Sequence, residues 1–199
     1  MYVWNIDEKK IESLKEGKVP IYEPGLQELL VKNIKGKRIE FTTDIEYAVE
    51  KSEVIFIAVG TPPALDGSAD LHYVLDVASS IGKYINNYKV IVDKSTVPVG
   101  TGKKVREAIQ KELDERGENI EFDIVSNPEF LREGKAVGDC LRPDRIVIGY
   151  ETEKAKEIMK KVYDVLFINE TPFMFTNIET AEMIKYASNA FLAVKNFIY

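Results

Sequence analysis

Two threonines and two glutamates stand where acid–base chemistry or ribose binding would need them. Thr61 and Thr96 each come shortly after a run of apolar residues, and Glu129 and Glu133 follow a third run. The two glutamates are four residues apart, so they share a face if this segment is helical. Carboxylates beside hydroxyl groups suit proton transfer and hydrogen bonding to a ribose. Their spacing alone favours a plainer interpretation, an acidic and solvated helix start that the helix dipole stabilises.

Lys185 and Asn189 form a second pair with the same spacing. On a helix they project from one face, and a buried lysine can act as a base or stabilise negative charge. An exposed lysine beside a surface asparagine fits the spacing equally well. Small neighbours would let a ligand or another helix approach closely: Ala181, Ala187, Ser188, Ala190 and Ala193.

These residues need a scaffold that brings strand ends together. Short β-rich runs alternate with amphipathic stretches, and residues 53–59 form a continuous apolar run typical of a strand buried on both faces. This alternation predicts a doubly wound parallel α/β sheet, which binds ligands beyond the carboxyl ends of its strands. The other predicted strands are 2–6, 39–42, 89–93, 122–126, 145–149 and 173–175. The predicted helices are 7–17, 26–31, 44–51, 71–86, 101–117 and 151–166, with a closing helix that starts near Thr176 in a Thr176–Glu179 capping box.

The usual phosphate-binding loops are missing. No G-x-G-x-x-G occurs in this sequence, and no P-loop pattern occurs either. Gly100-Thr101-Gly102 lacks the third glycine and follows a later strand, so we interpret it as a helix start that could lie near a phosphate.

The composition excludes several classes of protein. The chain has 199 residues, and 27 Lys plus Arg against 33 Asp plus Glu give a formal net charge of −6. This acidic balance argues against a nucleic-acid or anionic-membrane surface, and no apolar run is long enough to span a membrane. A single cysteine, Cys140, and a single histidine, His72, leave no internal disulfide and no His-rich metal site. We therefore expect no metal, a cytoplasmic location without a signal peptide, and a buried or half-buried thiol at Cys140.

Six motifs, taken in order along nearly the whole chain, resemble those of the nucleotide-sugar dehydrogenases, the UDP-glucose/GDP-mannose dehydrogenase family. They are Val19–Leu26, Val59–Pro62, Lys94–Gly100, Asn127–Gly134, Arg142–Arg145 and Lys185–Ala190. The Asn127–Gly134 segment favours the branch that acts on UDP-glucose over the branch that acts on UDP-N-acetylmannosamine.

The resemblance implies an NAD-dependent oxidoreductase of nucleotide-sugar metabolism and polysaccharide biosynthesis. Such an enzyme oxidises UDP-glucose to UDP-glucuronate in two hydride transfers. In this family a cysteine traps the aldehyde as a thiohemiacetal, the second transfer gives a thioester, and water hydrolyses the thioester. The implied fold is a Rossmann-like NAD-binding domain followed by a long helix on which the family's homodimer is built.

The resemblance also implies roles for individual residues. Glu129 would be the general acid/base of thioester hydrolysis, Lys185 would stabilise the oxyanion or move the hydroxyl proton, and Asn189 would hold that oxygen. Thr96 would orient the catalytic water and contact the cofactor. The other residues expected to contact NAD are Asn5, Lys10, Thr61 and Glu133. The residues expected to line the sugar-nucleotide site are Glu129, Phe130, Leu131, Arg132, Glu133, Lys185 and Asn189.

This sequence departs from the family pattern at both ends. The family's first strand, Gly-rich loop and first helix are absent, and Asn5 stands where the family has its ribose-binding acid. Because that strand would lie between the strands at 2–6 and 53–59, we expect a gap or a re-paired sheet. We expect an incomplete NAD-binding domain over 1–175, the start of the central dimerisation helix over 176–199, and no UDP-binding domain. The family's catalytic cysteine is also absent, so the chain alone is expected to be inactive.

Two alternatives remain open. In the first, the chain is a non-catalytic remnant or dimerising fragment of such an enzyme. In the second it is a hydroxyacid or 6-phosphogluconate dehydrogenase, since these enzymes also place a lysine and an asparagine four apart on a long helix. The segments 129–134 and 22–25 argue against the second alternative.

Overall fold

The computed structural model describes residues 1–64, 67–167 and 171–198. In chain order its elements are β1 (Tyr2–Trp4), α1 (Glu8–Lys15), α2 (Leu26–Lys35), β2 (Glu40–Thr42), α3 (Ile45–Glu50), β3 (Val54–Ile57), α4 (His72–Tyr84), β4 (Lys89–Asp93), α5 (Thr101–Arg116), β5 (Phe122–Ser126), α6 (Ala136–Leu141), β6 (Ile146–Tyr150), α7 (Glu153–Val162), α8 (Asp164–Phe167), β7 (Phe173–Thr176) and α9 (Ile178–Ile198).

The chain folds into two compact units. The first comprises Met1–Ser52 and Leu131–Pro143, and the second comprises Glu53–Phe130 and Asp144–Tyr199. The chain therefore leaves the second unit after Phe130 and returns to it at Asp144. The closing helix α9 belongs to the same unit as the strands β3 to β7. The predicted boundary at 175–176 divides the NAD-binding domain from the central helix of the family and stays a prediction.

The first unit is built on a parallel pair of strands, β1 and β2. Ile11 of α1, Leu30 of α2 and Phe41 of β2 form its small buried core. Two of its helices begin at aspartates whose carboxylates accept the first free N–H groups. Asp7 binds the Lys10 N–H at 3.1 Å and Asp44 binds the Tyr47 N–H at 3.0 Å, as side-chain capping requires.

The second unit contains a five-stranded sheet in the order β3-β4-β5-β6-β7. All residues of β4 and β5 are buried, because both faces of these strands are covered. On one face Val90, Val92 and Val125 pack with Ala155 and Met159 of α7. The predicted α/β class with a largely parallel sheet is confirmed.

The sheets differ in two ways from a single parallel sheet. β1–β2 and β3–β7 are separate sheets, and β3 is paired with β4 alone among the described residues. β6 runs antiparallel to β5, while β7 runs parallel to β6. β7, which corresponds to the predicted strand 173–175, lies at the edge of the five-stranded sheet.

The structure differs from the local predictions at four points. Residues 127–135 are not helical, so Glu129 and Glu133 do not share a helix face. The helix α6 was missed, and the stretch 151–166 divides into α7 and α8. The first turn of α9 is capped by Asn177, whose Oδ1 accepts from the Thr180 N–H at 2.8 Å, so the Thr176 capping box does not form. None of the helices in the described ranges is both long and apolar enough to cross a membrane.

Candidate active site

Asn127 fixes the chain at the end of β5. Its backbone N–H donates to the Asp93 carbonyl oxygen at 2.8 Å, and its Nδ2 donates to the Val147 carbonyl oxygen at 2.8 Å. Its Oδ1 accepts from the Tyr163 hydroxyl. Three hydrogen bonds therefore hold this buried side chain and backbone between neighbouring strands, and the segment that follows starts from a fixed point.

Glu129 and Lys185 meet two residues beyond that anchor. The Lys185 ammonium on α9 donates to the Glu129 carbonyl oxygen at 2.5 Å and to Glu129 Oε1 at 3.1 Å. Lys185 is only 7% exposed, so the alternative of an exposed lysine is wrong. A buried ammonium bonded to a carboxylate at a strand end is an arrangement that can exchange protons with a bound hydroxyl group.

An aromatic ring adjoins this pair. The Lys185 Nζ lies 5.3 Å from the centre of the Phe130 ring, and the Arg145 guanidinium carbon lies 4.3 Å from the same centre. Both distances fall within the range of cation–π attraction. Phe130 was predicted to line the site, whereas Arg145 was quoted only as part of a motif.

The ends of β3 and β4 are tied together by hydroxyl groups. The Thr61 hydroxyl donates to the Thr96 carbonyl oxygen at 2.8 Å, and the Ser95 hydroxyl donates to the Val59 carbonyl oxygen at 2.8 Å. The structure therefore brings the two predicted threonines together at adjacent strand ends. Their roles toward a cofactor or a water molecule stay predictions.

Glu182 is a site-forming residue that the sequence analysis missed. It is 2% exposed, and its two carboxylate oxygens accept from the Gly100 and Gly102 N–H groups at 2.6 and 2.8 Å. Gly100 has a φ of 91°, which favours glycine. Burial raises the pKa of Glu182, and the backbone N–H groups of Gly102 and Gly100 oppose that rise. The position of Glu182, one helical turn before Lys185, was the only signal in the sequence.

These contacts limit how the second unit fits NAD. The diphosphate of a dinucleotide usually binds free N–H groups at a helix start. Glu182 occupies such groups at the start of α5, and the His72 N–H at the start of α4 donates to Asp70 Oδ1 at 3.0 Å. The Thr61 and Thr96 side chains at the strand ends suit ribose or amide groups. The described residues therefore fit part of NAD, and the expectation that Gly100-Thr101-Gly102 meets a phosphate is not supported by these bonds.

Other predicted site residues belong to the first unit. Asn5 Oδ1 accepts from the Asp7 N–H at 2.9 Å, and Arg132 binds Asp139 through Nε and Nη2 at 3.0 and 2.6 Å. The Arg132 guanidinium lowers the pKa of Asp139 to about 2. The remaining three predicted residues of this unit have exposed side chains: Lys10, Leu131 and Glu133.

Glu23 is a second residue that the sequence analysis did not single out. This buried carboxylate accepts from the Gly134 N–H at 2.7 Å and from the Ala136 N–H at 3.1 Å. It therefore fixes the turn that ends the Asn127–Gly134 motif, where Gly134 has a φ of 76°. Its acidic position inside the Val19–Leu26 motif was the signal available.

The structure places two further residues, Asn189 and Cys140, at exposed positions. Asn189 lies one turn beyond Lys185 on α9, but its side chain is exposed and forms no hydrogen bond within the described residues. Cys140 is exposed on α6, so the expectation of a buried thiol was wrong. In the described ranges no group of three or more His, Cys, Asp or Glu side chains could hold a metal ion.

The fold and these strand-end residues agree with the class of protein that the motifs predicted, the nucleotide-sugar dehydrogenases. A sequence profile described as "UDP-glucose/GDP-mannose dehydrogenase family, NAD binding domain" matches residues 1–167. The chain belongs to this family of NAD-dependent oxidoreductases, as its motifs predicted.

Individual relatives agree with this assignment. The UDP-glucose 6-dehydrogenase TuaD of Bacillus subtilis is 52% identical over 191 residues, which cover 96% of this chain and 40% of TuaD. The UDP-glucose 6-dehydrogenase of Rhizobium meliloti is 50% identical, over 95% of this chain and 43% of the relative. The UDP-glucose dehydrogenase structure from Pyrobaculum islandicum matches with a TM-score of 0.91 and 41% identity, over 98% of this chain and 44% of the other. The chain thus spans about two fifths of the length of these curated relatives.

Proposed function

We propose that this chain carries the acid–base pair of an NAD-dependent UDP-glucose 6-dehydrogenase and does not complete the reaction by itself. The observation that carries the proposal is the contact between Lys185 Nζ and Glu129 Oε1 at 3.1 Å. The 52% and 50% identical relatives are UDP-glucose 6-dehydrogenases, which supports the same substrate here.

The pair suits the oxidation of a primary alcohol. NAD, when bound, accepts the hydride. The hydroxyl proton must leave at the same time. The Glu129 carboxylate can accept this proton, and the Lys185 ammonium stabilises the negative charge on the oxygen. Glu129 is 31% exposed at its side chain, so a bound sugar or water can reach it. Asn189 and Thr96 are proposed to orient the reacting oxygen and the attacking water.

The second oxidation needs a thiol nucleophile that this site lacks. The chain's one cysteine, Cys140, lies exposed on α6 in the first unit. The Glu129–Lys185 pair lies in the second unit, whose residues include no cysteine. We therefore propose that the thioester step depends on residues outside this chain.

Turnover by the isolated chain tests this proposal. The purified 199 residues, mixed with UDP-glucose and excess NAD, should form no NADH above the background of the Lys185→Met variant. Absorbance of the reduced nicotinamide, measured with the chain at substrate-like concentration, would detect even a single turnover. NADH formed by the wild-type chain and not by Lys185→Met would show that the chain is active alone and contradict the proposal of inactivity.

A second candidate is a dimerising fragment, as part of an enzyme or as a remnant. Several large apolar side chains of α9 are exposed, among them Phe191 at 68%. Such a surface favours self-association through this helix. Sedimentation velocity over a wide concentration range separates the candidates, because a monomer throughout would exclude self-association through α9. A cytoplasmic location is proposed with both.

A further inference from the structure

Arg145 occupies an unusual position beside the proposed acid–base pair. It directly precedes β6, in the motif Arg142–Arg145, and its guanidinium carbon lies 4.3 Å from the centre of the Phe130 ring. Its side chain is partly buried. Phe130 and Arg145 also flank the points where the chain leaves and re-enters the second unit. The contact with the ring therefore keeps the guanidinium group close to Phe130.

The guanidinium has no polar partner within the described residues. It donates no hydrogen bond and forms no ion pair, although Arg106 binds Glu151 and Arg116 binds the carbonyl oxygens of Gly82 and Ile85. An arginine carries five N–H donors in a rigid fork that matches two oxygens of a carboxylate or phosphate. The contact with the Phe130 ring uses none of these donors.

The positive charge of Arg145 has no ion-pair partner in the part of the chain that the structure describes. The Lys185 ammonium lies 5.3 Å from the same ring and is paired with the Glu129 carboxylate at 3.1 Å. Arg145 forms no such ion pair within the described residues. The protein as a whole is acidic, with a formal net charge of −6, so this cation is not one of a general basic surface.

We propose that Arg145 binds an oxyanion, a phosphate or carboxylate group, through two parallel N–H···O bonds beside the Glu129–Lys185 pair. The identity of the source rests on the proposed function. That function offers two sources with the same chemistry, the diphosphate of a nucleotide and the carboxylate of an oxidised sugar. Bidentate bonding to such groups is specific to arginine, because lysine offers a point charge.

Titrations with two small anions test the site without any turnover. Pyrophosphate and glucuronate are added separately to the isotope-labelled full chain, and the Nε–H signal of Arg145 and the amide signal of Phe130 are followed by NMR. We expect a saturable change with at least one anion. Arg145→Gln should bind that anion at least about tenfold more weakly, the loss expected for charge-assisted hydrogen bonds. Arg145→Lys should bind more weakly than the wild type.

Arg142→Gln is the matched control, since Arg142 lies three residues earlier in the same motif and is exposed. It should bind the anion as tightly as the wild type does.

A response to pyrophosphate alone assigns the diphosphate as the source, and a response to glucuronate assigns the carboxylate. If neither anion saturates the Arg145 signal, or if Arg145→Gln binds as tightly as the wild type, the proposal is overturned. If Arg145→Gln does not fold, the wild-type chain decides: an anion that shifts the NMR signal of Arg142 and not that of Arg145 overturns the proposal. The NADH assay is separate, so either proposal can fail alone.

Discussion

The Asp93→Asn variant should gain stability relative to the wild type as the pH rises from 4 to 8. Asp93 is 2% exposed at the end of β4, and its Oδ2 has no hydrogen-bond partner among the residues that the structure describes. Burial raises the pKa of this carboxyl from 3.8 to about 7; the Ser95 N–H opposes the rise and the Glu182 charge adds to it. The folded protein therefore keeps a proton that the unfolded chain releases near pH 3.8.

The direction of this pH dependence follows from the linkage between proton binding and folding. With a raised pKa, the stability contributed by Asp93 is complete below about pH 3.8 and is lost as the pH rises to about 7. The difference between these values corresponds to about 4 kcal/mol. The free energy of unfolding of Asp93→Asn minus that of the wild type should rise by about this amount across the interval.

Urea unfolding at a series of pH values measures this difference. Asp76→Asn, the same substitution at an exposed position of α4, is the matched control for the chemistry of the change. A difference between Asp93→Asn and the wild type that stays constant within about 1 kcal/mol from pH 4 to pH 8 would mean that the Asp93 carboxyl is not held neutral by its burial.

Removing the Glu182 carboxylate should destabilise the protein by about 3 kcal/mol or more. In Glu182→Ala the Gly100 and Gly102 N–H groups lose their acceptors at 2.6 and 2.8 Å. Each buried, unsatisfied N–H costs about 1–3 kcal/mol. The same change removes a negative charge that raises the pKa of Asp93, so the pH dependence described above should shrink in this variant.

Glu179→Ala is the matched control for this experiment, because Glu179 is exposed in the first turn of the same helix. It should lose less than about 1 kcal/mol. Urea unfolding at neutral pH compares the two variants. Equal losses in Glu182→Ala and Glu179→Ala would show that the two hydrogen bonds to the start of α5 contribute little.

Much of the fold was predictable because burial on both faces leaves a simple pattern. The strands 89–93 and 122–126 were predicted with the bounds that β4 and β5 have. The helix α6 was missed because it has six residues, no buried side chain and no side-chain cap. The antiparallel direction of β6 has no local signal, since strand direction depends on the path of the connecting chain.

The candidate site was predictable only in part. The motifs indicated Glu129 and Lys185 as site residues. Because these residues are 56 positions apart, their spacing could not predict that they are in contact. The nonhelical path of 127–135 depends on distant partners, Val147 for Asn127 and Glu23 for Gly134, that no local pattern shows. Glu182 was missed because the N–H groups it binds lie 80 or more positions away.

Acylation of individual lysines tests the central claim, that Lys185 is buried and bonded to Glu129. The chain is treated briefly with a small acylating reagent, and each lysine is quantified by peptide mass spectrometry. Lys103, whose side chain is 78% exposed, is the internal reference. The structure predicts that Lys185 reacts at least about tenfold more slowly than Lys103, and that Glu129→Ala narrows this gap. Equal reaction of Lys185 and Lys103 in the wild-type chain would contradict the claim.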